Sequence, residues 1–329
     1  MRISIRAASG ITRTRHKRRY MENNTKPKRK SPFSRFQTDR YTWHDNIIII
    51  VLLFLGLTIL AIIAEIIMDI IVALIFGGAD NGALNMFVMY IETAGQWIVF
   101  LGYELITKRN RPMAKALTPK AKGNTLKMFL LGMLIGGGEN ALCILIAIIH
   151  GDIYLVFDCF KPLPLLAILF AVLVQSSSEE LMCRNFLYQR LARGHKSPLV
   201  PILGSSLIFM SLHLLNDGIS LVPILHLVAI AVFYSLIVYY FDSIWFAFGA
   251  HTAWNYTQNI IFGLPNSGIV TEFSILKLDA SIASSNFIYD PAFGVEGAPL
   301  SLCFTIASII LTIIIGRKHR QKNPLQVWE

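Results

Sequence analysis

The sequence predicts an all-α polytopic membrane protein, a bundle of about eight transmembrane helices with its N- and C-termini cytoplasmic. Three observations predict it. Hydrophobic residues make up 54% of the 329-residue chain, charged residues 15%, and the mean hydropathy is +0.55. A soluble domain carries about 25% charged residues. Several apolar runs approach the ~20 residues that a helix needs to cross a ~30 Å hydrocarbon layer. Inside that layer each backbone N–H must be bonded within its own segment, so the runs are helices. The short alternating segments of a transmembrane β-barrel do not occur. The third observation is the uneven placement of lysine and arginine.

The expected spans are 46–70, 84–106, 126–149, 163–188, 199–216, 221–241, 243–264 and 299–316. The first apolar run extends to Phe76, longer than the bilayer is thick at ~1.5 Å per residue, so its end must tilt or leave the membrane. The fourth begins after Pro164 and runs into Ser176–Ser178 and two glutamates. Hydropathy alone scores it poorly, and topology requires it.

Cytoplasmic loops collect lysine and arginine. Residues 1–45 hold thirteen, residues 107–127 hold seven, and the C-terminal tail holds four. Arg190, Arg193 and Lys196 follow the fourth span, whereas the opposite loops hold only Lys161 and Lys277. The remaining basic residue, Arg184, falls inside the membrane. This division expects a basic, disordered cytoplasmic arm at 1–45, a helical domain at 46–316 and a short basic tail at 317–329.

The net charge of +10 then needs no nucleic acid. The arm, densest at His16–Tyr20 and Lys26–Lys30, is expected to touch anionic lipid head groups. The first apolar run is too long and too far from the start for a cleaved signal peptide, and Met21 is an alternative start to Met1. The Ile-rich composition with the basic tail hints at a multi-pass protein of a bacterial plasma membrane. Cys143, Cys159, Cys183 and Cys303 have no CxxC spacing, against a zinc knuckle or redox motif. Residues 265–298 form the one long outer loop.

An ionisable group in the bilayer interior costs roughly 3 kcal/mol or more, so it suggests function unless it escapes to the interface. Glu65, Asp69 and Glu104 lie near helix ends and are discounted; Glu92 is deeper. Glu139 follows Gly136-Gly137-Gly138, where glycines favour close helix packing, and is either an interhelical contact or a support to a site. The fourth span differs. It carries Ser176-Ser177-Ser178-Glu179-Glu180 and then Arg184. Glu180 and Arg184 are four apart and share a helix face, so they pair. Glu179 points about 100° away. The paired carboxylate is held ionised, and the free one suits a general base.

His213 stands in the fifth span, and His251 and Asn255 stand one turn apart in the seventh. Two histidines, an asparagine and a glutamate pair on three helices form a constellation. His226, with no polar neighbour at helical spacing except Tyr234, reads as structural. At ~1.5 Å per residue, Glu179, His251 and Asn255 lie roughly 15, 12 and 18 Å from the cytoplasmic ends, and His213 near 20 Å.

Glu179-Glu180-x-x-x-Arg184, Phe209-x-x-x-His213 and His251-x-x-x-Asn255 resemble the three motifs of the CAAX-protease and bacteriocin-processing (CPBP, or Abi) membrane proteases. The resemblance covers roughly residues 163–257. It implies an eight-helix glutamate-type intramembrane endopeptidase. By motif position, Glu179 would activate water, Glu180 and Arg184 would orient the site, and His213, His251 and Asn255 would bind the oxyanion or position the water. The small Ser176–Ser178 run would admit water or a peptide backbone. Family enzymes cleave prenylated proteins near the C-terminus, or leader and signal-like peptides, so the expected partner is a hydrophobic, leader or lipidated peptide.

No cofactor is favoured. Were zinc present, Glu179, His213 and His251 would be its ligands, but no HExxH occurs. The alternatives are a non-catalytic membrane protein binding a peptide with the same cluster, as an immunity factor would, and a proton-coupled transporter. The transporter is weakest, because no polar motif repeats in two halves.

Overall fold

The computed structural model describes residues 36–76, 81–279, 281 and 283–319. Its helices are α1 (Ile47–Phe76), α2 (Gly82–Ile91), α3 (Ala94–Ile106), α4 (Leu126–His150), α5 (Pro162–Glu180), α6 (Tyr188–Gly194), α7 (Leu199–Leu212), α8 (Leu221–Phe241), α9 (Ile244–Asn255) and α10 (Pro299–His319). A π-helical turn, Leu181–Leu187, joins α5 to α6 without a break, and another, Tyr256–Ile261, prolongs α9. A short antiparallel pair, β1 (Leu155–Phe157) and β2 (Leu276–Leu278), ties two loops together.

Among the described residues, six helical stretches are long and apolar enough to cross a membrane: Ile47–Ile75, Gly82–Ile106, Leu126–His150, Pro162–Gly194, Leu221–Phe241 and Pro299–His319. The chain is therefore an all-α, multi-pass membrane protein. The other two expected spans are shorter. Helix α7 has 14 residues, about 21 Å of rise, and ends at Leu212 rather than at 216. Helix α9 carries many small and polar side chains and is buried at every position except Trp245, which is half-buried. Surrounded by protein rather than lipid, it needs less apolar surface than a lipid-facing helix.

Glycine sets the packing of α9. A Cβ at Gly132 would strike the Phe246 backbone, one at Gly136 the Ala250 backbone, and one at Gly249 the backbone of Phe129. Only bare backbones approach this closely, the usual arrangement where small residues recur every fourth position in membrane helices. Of the three successive glycines, Gly136 serves this contact, while nothing lies within 4 Å of a Cβ at Gly138. Glu139 turns toward α10, 3.5 Å from Thr305 Oγ1 and 3.3 Å from Ser308 Oγ. It is an interhelical contact.

Residues 36–45, assigned by sequence to the arm, dock on the helix ends. Asp45 is fully buried, hydrogen-bonded by Arg193 Nε at 2.9 Å and Arg109 Nη2 at 2.6 Å. Arg190 donates to the His44 carbonyl at 2.8 Å. Burial alone would raise the Asp45 carboxyl, but the Arg193 bond and charge, the Thr42 N–H and Arg109 outweigh it and lower the pKa. The densest basic stretches, 16–20 and 26–30, lie outside the described residues, as do both candidate start positions.

The molecule thus has two unlike ends. Residues 36–45, 107–125, 188–198 and 242–243 meet at a basic face, through Asp45, the Lys122 N–H to Asp242 bond and the Asn124 cap on Ile244. The loops at 151–161, 213–220 and 262–298 meet at the opposite, loop face, through β1–β2 and the Asn216 bond to the Ser267 carbonyl.

Candidate active site

Helix α5 delivers two carboxylates, and the π turn that follows sets their partners. Such turns, one residue wider than the α-helix, recur at functional sites. Glu180 and Arg184 are both fully buried, and Arg184 Nη1 donates to Glu180 Oε1 at 3.0 Å. The guanidinium lies 4.6 Å from the Phe209 ring centre and 5.5 Å from that of Tyr234, a favourable cation–π arrangement. The same Glu180 oxygen bonds His251 Nδ1 at 3.0 Å. The expected pairing holds, and it extends to the α9 histidine.

Glu179 points elsewhere. Its Oε1 accepts from Gln175 Nε2 at 2.6 Å, while Oε2 is buried without a hydrogen-bond partner. His251 Nε2 lies 3.8 Å from that free oxygen. Asn255, one turn beyond His251, donates from Nδ2 to Gln175 Oε1 at 3.1 Å and reaches Ser176 Oγ at 3.4 Å. Gln175 therefore links Glu179 to Asn255. Sequence reasoning passed over it, although its i,i+4 relation to Glu179 was a usable signal.

These groups open into one cavity of about 520 Å³ lined by Glu179, His213, His251 and Asn255. His213 sits just past the end of α7, its Nδ1 2.9 Å from the Phe209 carbonyl oxygen. That position explains its apparent depth: the helix stops early and the chain turns. All six expected residues thus gather around one cavity, four at its wall and two, Glu180 and Arg184, behind it.

The serines behave otherwise. Ser176, Ser177 and Ser178 are buried, with Ser177 accepting from Trp97 Nε1 at 3.2 Å and Ser178 donating to Gln96 Oε1 at 2.7 Å. They let α3 pack closely on α5 and are not part of the cavity wall. His226 does line the cavity, buried and 3.1 Å from Thr305 Oγ1.

Two more carboxylates reach the cavity. Glu65 of α1, discounted by sequence as a helix-end residue, lines it with one buried oxygen unpartnered. Glu296, from the chain just before α10, lines it too and accepts from the Ser267 N–H and hydroxyl. Burial pushes the Glu296 carboxyl up to about 7, against the pull of the Ser267 bonds. Hydropathy gave no hint that a residue 41 positions beyond the end of α9 returns to the site.

Among the described residues, no three of His, Cys, Asp and Glu converge as a metal would require. His251 turns Nδ1 to Glu180 and Nε2 toward Glu179, and His213 turns Nδ1 to a carbonyl.

Residues 161–257 match the family model of type II CAAX prenyl endopeptidases, Rce1-like. No curated protein matches the chain, and no solved structure does. The match takes in all three motifs and the whole of α5 through α9. This part of the chain is similar to an Rce1-like CAAX-protease domain, consistent with the CPBP resemblance, and the match supports an intramembrane peptidase in general class.

Proposed function

We propose that the protein is a glutamate-type intramembrane endopeptidase acting on a leader-type or other membrane-associated hydrophobic peptide in a bacterial plasma membrane. One observation carries the mechanism: the free Oε2 of Glu179, buried in the cavity wall beside His251. Glu179 takes a proton from a water that attacks the scissile carbonyl. The oxyanion forms near His251, Asn255 and His213, whose N–H groups are the available donors. Glu180 accepts a hydrogen bond from His251 Nδ1–H and fixes the ring, so that His251, protonated on both nitrogens, turns Nε2–H to the reacting oxygen. As the C–N bond breaks, the proton held by Glu179 passes to the leaving amine. Gln175 keeps Glu179 and Asn255 in register.

The reaction as written uses no metal. Purified protein incubated with a strong zinc chelator is expected to keep its hydrolysis rate within about twofold, since no rate-determining Lewis acid is removed. Loss of activity restored by zinc would overturn this part.

The basic face is assigned to the cytoplasm, from the thirteen, seven and four basic residues of the arm, the 107–127 loop and the tail. The cavity wall contains Asn266, Ser267 and Ile269 from the loop face, whereas residues 180–191, leading to the basic face, are buried throughout. The site therefore opens away from the cytoplasm. With Cys159 and Cys303 changed to serine, Asp217→Cys should react with an impermeant maleimide on intact cells, and Lys120→Cys only after permeabilisation. The reverse pattern would invert the orientation.

A further inference from the structure

The cavity wall has a definite electrostatic character. Glu65, Glu179 and Glu296 line it from three separate parts of the chain, and no lysine or arginine does. Arg184 is confined behind the wall, bonded to Glu180. Glu65 Oε1 and Glu179 Oε2 are buried acceptors with no donor. An unsatisfied buried acceptor is destabilising, and an incoming donor relieves it. The three histidines of the wall are each engaged: His251 by Glu180, His226 by Thr305 and His213 by the Phe209 carbonyl.

The approach to the cavity has the same sign. Among the described residues of the loop face, Asp152, Asp158, Asp217, Glu272, Asp279 and Asp290 stand against Lys161 and Lys277. Lys277 is already paired with Asp158 at 3.0 Å. A field of one sign leading into a low-dielectric cleft concentrates ligands of the opposite charge.

We propose that this site selects a cationic hydrophobic peptide, with lysine or arginine close to the scissile bond, and discriminates against a chain end that places its free C-terminal carboxylate there. The inference rests on the peptidase reading for the reaction but not for the recognition. A lysine or arginine side chain beside the scissile bond gives Glu65 or Glu296 a charged donor. A terminal carboxylate in the same place meets the like charges of Glu65, Glu179 and Glu296, while the charge of His251 is already engaged by Glu180. The substrate is then an internal stretch of a basic peptide presented at the loop face.

The test uses one hydrophobic peptide sequence with Lys, Gln or Glu at each position flanking the cleaved bond, with amidated and free-acid C-termini, in uncharged detergent. The expected order of kcat/KM is Lys above Gln above Glu, with about tenfold or more between the extremes, equivalent to ~1.4 kcal/mol. Glu65→Gln and Glu296→Gln should each shrink the Lys-to-Gln ratio, and Glu→Asp at either position should restore part of it. Equal rates for the three peptides, or a preference for Glu, would overturn the proposal. If nothing is cleaved, the peptidase reading fails, and binding of the same fluorescent peptides to the wild-type protein decides the recognition. Tighter binding of the lysine peptide sustains it, and equal binding overturns it.

Discussion

Glu179→Gln is expected to lower kcat by about a thousandfold, within the range that a positioned general base contributes. The substitution keeps size and shape. The new amide oxygen still accepts from Gln175, which now holds Glu179 at 2.6 Å. What disappears is the basic oxygen beside His251. KM and the affinity for an uncleaved peptide should change little, and the elution profile in detergent should match the wild type. Turnover retained within tenfold would assign the base elsewhere, with Glu65 and Glu296 the next carboxylates in the cavity.

The second large effect is structural. Arg184→Met leaves Glu180 fully buried with only His251 to partner it. Breaking a buried ion pair from one side costs about 3–5 kcal/mol, because the remaining charge is uncompensated. The methionine also forfeits the contact of the guanidinium with Phe209 and Tyr234. The variant should unfold at a much lower temperature in detergent or fail to accumulate. Pairing it with Glu180→Gln removes the stranded charge and should recover most of the stability. Activity should stay low in the double variant, since His251 loses its ionised partner. Equal stability of the single and double variants would contradict this account of Glu180.

The long apolar helices were legible because lipid demands the same thing of every residue that faces it. Helices α8 and α10 begin and end within a few residues of the expected 221–241 and 299–316. The Glu180–Arg184 pair was legible from spacing alone, even though the chain between them is a π turn. Legibility faded wherever the environment is protein instead of lipid. Helix α9 is enclosed, so its hydropathy carries little of its position. Ser176–Ser178 looked like an opening for substrate, yet small residues also permit a helix to seal closely, and α3 does so through Trp97 and Gln96. Glu65 was discounted because distance to a helix end was taken as distance to water. Glu296 needed the tertiary fold to be seen, because it arrives on a returning loop; the spacing of Gln175 to Glu179 was visible in the sequence, but its bond to Asn255 was not.

The most direct measurement is hydrolysis itself. Purified wild-type protein in uncharged detergent would be incubated with a library of hydrophobic leader-type and lipidated peptides, with the products weighed by mass spectrometry. The account predicts two fragments whose masses sum to the peptide plus one water, formed at an internal bond and absent with the glutamine variant of Glu179. Peptides that bind yet are recovered intact would contradict it, and would make the cluster around Glu179 a recognition site without catalysis.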